Sequence, residues 1–156
     1  MTGYRVSASR SVPAPVERAF DLVLTEPLPR IFSRRYGPIP PIREVRDQTG
    51  DAWGAVGQSR RIVLSDGGSM TERLTSVERA SSFGYRISDL TGPFKALISS
   101  LDGAWTFEPA GTGTRITWTW TLYPASSVAG SALPVVARLW RGYARQALEE
   151  IEKILV

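Results

Sequence analysis

The most regular stretch of the chain runs from Thr114 to Tyr123, where Ile116, Trp118, Trp120 and Leu122 alternate with Arg115, Thr117, Thr119 and Thr121. A period of two places these sets on opposite faces of a strand, one apolar and one polar. Segments of similar character lie upstream between turn residues, at Ile42 to Asp47, Gln58 to Ser65, Ser69 to Glu78, Ser82 to Ser88 and Lys95 to Glu108. Short strands punctuated in this way predict an antiparallel sheet. Tyr4 to Val12 predicts a first strand, with Tyr4, Val6, Ala8, Arg10 and Val12 on one face and Arg5, Ser7, Ser9 and Ser11 on the other.

Elsewhere the spacing is helical. Pro13-Ala14-Pro15 ends the first strand, and Val16, Ala19, Phe20, Val23 and Leu24 then recur close to a helical period. Pro27 and Pro29 close that helix, and a second short helix is expected around Arg30 to Tyr36, ahead of an extended Gly37-Pro38-Ile39-Pro40-Pro41 run. After Pro124 and a linker of small residues, Leu133 to Val156 carries Val136, Leu139, Trp140, Tyr143, Ala147, Leu148, Ile151, Ile154 and Leu155 along one side. This is a long amphipathic helix, with Arg145 and Glu149 as an expected i,i+4 pair on its polar side.

Face assignments constrain two hairpins. If Arg60, Ile62 and Leu64 share a face with Met70, Glu72 and Leu74, an odd loop is required, and Asp66-Gly67-Gly68 supplies three residues. That register sets Ile62 opposite Glu72 and Arg60 diagonal to it. In the last hairpin, a four-residue loop Ala110-Gly111-Thr112-Gly113 sets Trp105 opposite Trp118 and Gly103 opposite Trp120. Gly103 then marks a place for the sheet to bend.

The expected inner face holds Ile62, Leu74, Tyr85, Trp105, Phe107, Trp118 and Trp120, with Trp140 and Tyr143 opposite them on the long helix. Alternation alone fits both a filled core and a hollow. Arg60 and Glu72 are polar intruders on this face, and a charge facing an apolar interior must be paired. A structural ion pair is one reading. In the other, Arg60 orients an anionic or carbonyl group of a ligand while Glu72 holds Arg60 or exchanges a proton, and Tyr85 donates a hydrogen bond to the same ligand.

Composition removes several function classes. The 156 residues contain neither cysteine nor histidine, which excludes disulfides, Ser-His-Asp and Cys-His catalysis, and the commonest metal ligands. One domain over 1–156 is expected for this length. The opening MTGYRVSASRSVPAPVERAF lacks the apolar run of a secretory signal, and no window reaches the ~18 apolar residues of a membrane span, so a cytoplasmic protein is expected. The net charge is +4, but Arg34-Arg35 and Arg60-Arg61 are the only adjacent basic pairs. Dispersed arginine does not predict nucleic-acid binding. A monomer or weak homodimer is expected, and nothing calls for a metal or cofactor.

The order strand, two short helices, long antiparallel sheet and long C-terminal helix resembles the START-like (SRPBCC) superfamily, which includes the birch pollen allergen, lipid-transfer domains and polyketide cyclases. SVPAPVERAFDLV resembles that family's first strand running into a helix. VGQSRRIVLSDGGSMTERLTSVE resembles the polyketide cyclase/dehydrase branch, with Gly57, Arg60, Leu64, Gly67, Glu72 and Leu74 at matching places, followed by Tyr85 and Trp118. The resemblance implies an α+β helix-grip fold: a curved antiparallel sheet of about seven strands around a long C-terminal helix, with two short helices between strands 1 and 2 and an apolar cavity. Catalytic members often use a histidine or a tyrosine-arginine set, and only the second is available here. Three functions are therefore carried forward: a carrier or binder of a hydrophobic lipid- or polyketide-like molecule, a cyclase or dehydratase, and a protein-interaction module.

Overall fold

The structure, a computed structural model, describes residues 3–156. Among them, seven strands form one curved antiparallel sheet: β1 (Tyr4–Val12), β2 (Ile42–Arg46), β3 (Ser59–Leu64), β4 (Ser69–Glu78), β5 (Ser82–Thr91), β6 (Ile98–Ala110) and β7 (Gly113–Pro124). Their spatial order is β1-β7-β6-β5-β4-β3-β2. Helices α1 (Val16–Thr25) and α2 (Leu28–Ile31) join β1 to β2. A single turn α3 (Ser127–Gly130) leads into the long helix α4 (Leu133–Leu155), which lies against the inner face of the sheet.

Local chemistry accounts for the breaks. Pro15 caps α1 from an extended conformation, and Pro29 sits in the first turn of α2, where its missing N–H has no helical partner to lose. The second helix is thus one turn at Leu28–Ile31 and not at Arg30 to Tyr36, because Pro29 begins a helix instead of ending one. The linker after Pro124 contains α3, capped by the Ser126 hydroxyl accepting from Ala129 N at 3.1 Å. The segment expected as a strand from Lys95 begins at Ile98, since Pro93–Ala96 forms a 3-10 turn.

The two hairpins test the face argument differently. In β6–β7 the pairs Trp105↔Trp118 and Gly103↔Trp120 are as expected, and the ladder runs one rung further, to Ala110↔Gly113, leaving a two-residue turn. In β3–β4 the register is shifted by two: Arg60 pairs directly with Glu72 and Ile62 with Met70. The turn keeps three residues but sits one position earlier, at Ser65-Asp66-Gly67, closed by Leu64 N donating to Gly68 O and Gly67 N to Leu64 O, with Gly67 at φ 90°. A shift of two keeps every side chain on its face, so the parity holds while the neighbours change.

Helix α4 buries Val136, Trp140, Tyr143, Ala147, Leu148, Ile151 and Leu155. Arg10 on β1 donates to Glu152 at 2.7 Å. Glu149 meets Arg34 at 3.4 Å, and no Arg145–Glu149 bridge forms among the described residues. The segment between α2 and β2 is fastened to α4 at two points. Tyr143 Oη donates to the Pro40 carbonyl at 3.2 Å, and the Tyr36 ring lies over Gly142, where a Cβ would overlap it. Among the described residues no helix is long and apolar enough to cross a membrane.

Candidate functional site

Between the sheet and α4 lies a hollow of about 100 Å³. Of the residues expected on the inner wall, Arg60, Ile62, Glu72, Tyr85, Trp105, Trp118, Trp120, Trp140 and Tyr143 line it. Leu74 and Phe107 do not. Phe107 is on the right face, but it packs edge-on against Phe20 of α1 at 5.3 Å and beside Phe83, so α1 seals that end. Leu74 is buried in the core without reaching the hollow.

Arg60 and Glu72 face each other across β3 and β4, with Nε to Oε1 at 2.6 Å and relative exposures of 9% and 5%. Burial raises the Glu72 carboxyl above its ordinary value of 4.5, and the Arg60 charge and hydrogen bond oppose the rise. The guanidinium is covered by the Trp53 ring, 3.9 Å from its centroid. Trp53 stands in the loop between β2 and β3, which is held together from inside by one side chain. Gln58 Oε1 accepts from Gly54 N and Ala55 N at 2.8 and 2.7 Å, and its Nε2 donates to the carbonyls of Thr49 and Ala52, each at 2.7 Å.

Tyr85 occupies the centre of the wall because β6 makes room for it. Tyr85, Gly103 and Trp120 form one row across β5, β6 and β7. A Cβ on Gly103 would fall inside the Tyr85 ring, so the ring crosses β6 over bare backbone. Its hydroxyl reaches β7, where it accepts from Trp118 Nε1 at 2.8 Å and Trp120 Nε1 at 2.9 Å. Burial, followed by the nearby Glu72 charge, pushes the Tyr85 phenol upward, while the two indole donors and Arg60 pull the other way. Burial likewise pushes the Tyr143 phenol up.

The remaining wall is aromatic and layered. Trp105 and Trp118 stack at 4.6 Å and 7°, and Phe32 and Tyr143 at 5.9 Å and 12°. Trp140 is fully buried beside Trp118 and Trp120, and its Nε1 has no hydrogen-bond partner. Sequence reasoning missed Trp53, whose one signal was an aromatic among turn residues. It also missed the lining contributed by Val23, Leu24, Phe32, Ile39 and Phe94, while Met70 lies on the face expected for it. Val23 and Leu24 were visible as the apolar face of α1, but periodicity does not say what that face meets.

The family model described as "Polyketide cyclase / dehydrase and lipid transport" matches residues 4–155. No curated protein matches the sequence. Among solved structures, ginseng major latex-like protein 151 from Panax ginseng is similar at 13% identity and TM-score 0.76, over 100% of this chain and 99% of that one. Ara h 8.0201 is similar at 15% identity and TM-score 0.70, over 98% and 97% of the respective chains. A protein from Thermus thermophilus, TTHA0849, is similar at 18% identity and TM-score 0.72, over 96% and 95%. At these identities the likeness is one of fold.

Two outcomes follow from the geometry. Gly103→Ala is expected to cost about 1–3 kcal/mol in urea unfolding by forcing Tyr85 from its row, and much less when introduced into a Tyr85→Ala background. For Glu72, the raised value means that the folded state holds its proton more tightly than the unfolded chain does. The unfolded chain therefore gains from ionisation first, and this contribution to stability, full below pH 4.5, declines as pH rises through the folded-state value. Subtracting the unfolding free energy of Glu72→Gln from that of the wild type at each pH should give a difference that falls as pH rises from 4.5.

Proposed function

The chain belongs to the polyketide cyclase / dehydrase and lipid transport family, and from that premise we propose that it binds a hydrophobic small molecule between the sheet and α4, as a carrier or binder. The observation that carries this reading is an apolar hollow at the grip of sheet and helix, with Arg60, Glu72 and Tyr85 in its wall. Its volume of about 100 Å³ lies below the ~300–1,000 Å³ typical of small-molecule sites. A lipid- or polyketide-sized ligand is accommodated by parting side chains, and Met70 and Phe94, both only half-buried, are the adaptable part of the lining. Arg60, Ile62, Tyr85, Trp105, Trp118, Trp120, Trp140 and Tyr143 are the proposed contacts.

Chemistry favours binding over turnover. General acid-base work is most efficient when a group titrates near the working pH. Both phenols in the wall are pushed up, away from neutrality; Glu72 is raised toward it, but its carboxylate is engaged by Arg60. Cyclase- or dehydratase-type catalysis is the second reading, favoured by the placement of Arg60, Glu72 and Tyr85 on three successive strands. Arg60 would polarise a carbonyl while Glu72 and Tyr85 move protons.

Native mass spectrometry of the protein incubated with a panel of fatty acids and aromatic polyketides is expected to show one ligand per chain. Ile62→Phe, which fills the hollow, should weaken that binding at least tenfold with an unchanged circular dichroism spectrum. A wild-type protein that retains nothing from the panel refutes the binding reading. For the enzymatic reading, Arg60→Ala and Tyr85→Phe are expected to abolish cyclisation of a poly-β-keto substrate, and turnover unchanged in both rejects those roles.

A further inference from the structure

The hydrogen-bonding groups at the aromatic end of the hollow are all of one kind. A phenolic hydroxyl has one proton to give and two lone pairs to share. At Tyr85 both lone pairs are taken, by Nε1 of Trp118 and Nε1 of Trp120. An indole N–H cannot accept, so neither tryptophan receives the Tyr85 proton, and no other group among the described residues is bonded to it. Two strand-mounted rings thus fix this hydroxyl as a donor.

Trp140 adds a second donor. It lines the same hollow, its exposure is 0%, and its Nε1–H is without a partner. Its ring centroid lies 4.9 Å from that of Trp118 and 5.2 Å from that of Trp120, so both spare protons belong to one cluster. Buried donors normally find partners, and a partnerless one calls for an explanation. Within this cluster the neighbours are indoles, which have no acceptor to offer. The acceptor has to arrive from outside the chain.

Resting on the ligand-binding reading above, we infer that this end of the hollow receives a planar ligand through a neutral carbonyl oxygen, bonded by the Tyr85 hydroxyl and Trp140 Nε1–H. Trp118 and Trp120 act as positioning residues that hold Tyr85 in its donor state. The preference for a flat molecule follows from the lining, in which Phe32, Trp105, Trp118, Trp120, Trp140 and Tyr143 offer ring faces and edges against which another ring packs better than a coiled chain does. Neutrality follows from the donors, which are uncharged and buried, whereas Arg60 is already paired with Glu72. An ionised carboxylate placed here would lose its water without gaining a free cation.

The test uses two bicyclic molecules of matched shape, 1-indanone and indane, with oleate as a long-chain probe, each titrated calorimetrically into the full chain. The wild type should bind 1-indanone at least tenfold more tightly than indane. The infrared carbonyl band of bound 1-indanone should lie at lower frequency than in hexane. Tyr85→Phe and Trp140→Phe should each bring the ratio of the two affinities towards one, the loss falling on 1-indanone more than on indane, whereas general loosening would weaken both probes together and leave the ratio unchanged. Trp118→Phe should lower the ratio with Tyr85 still present. Should a variant fail to fold, the band position in the wild type decides. Affinities within a factor of two, or a band at its hexane position, overturn the inference and leave the ligand-binding reading standing. So does binding of oleate with neither bicyclic probe. Binding of none of the three overturns both.

Discussion

A sheet that carries Trp105, Trp118 and Trp120 on one face cannot leave that face to water, and no single flat partner covers so much ring. Helix α4 meets it with Trp140, which is fully buried against two of the three. Rings of this size bury roughly 150–250 Å² each. The hollow lies beside that contact, with all four rings in its wall. Bulky rings hold sheet and helix apart, and the smaller side chains around them leave the space unfilled.

Face parity made much of this legible beforehand. Strict alternation in β7 and a compact glycine turn were enough to give the β6–β7 register, because both strands are amphipathic over many residues. In β3–β4 the same reasoning gave the right faces and the wrong neighbours. Burial distinguishes odd from even, and moving a three-residue turn by one position along the chain shifts the register by two without changing either. Parity therefore makes Arg60 and Glu72 partners on a diagonal, and the structure sets them on one rung. Phe107 and Leu74 show the complementary limit: a residue can face inward and still lie beyond the end of the hollow, where α1 has closed the space. The Tyr85–Trp118–Trp120 hydrogen bonds were out of reach because they depend on a ring crossing a neighbouring strand.

The polar and aromatic ends of the hollow are built on different principles. At the polar end, opposite charges compensate each other at one cross-strand rung, and Trp53 shields the cation. The loop that carries Trp53 draws its order from Gln58, so its internal hydrogen bonds do not depend on the ligand-facing surface. At the aromatic end the donors themselves are neutral and outnumber the acceptors, with the Glu72 charge near enough to act on Tyr85. A ligand that spans both ends meets a balanced ion pair at one and an unmet demand for electron density at the other.

The bare backbone at Gly103 has a consequence for how this sequence can drift. Tyr85 occupies volume that belongs, by strand geometry, to position 103, so the two sites share one allotment of space. A side chain at 103 is admissible only after the ring at 85 has been lost, whereas the ring can be lost first at no steric penalty. The permitted mutational route therefore runs in one direction. Within a lineage that keeps this tyrosine, the glycine is held in place by a residue eighteen positions away in sequence and directly opposite on the next strand.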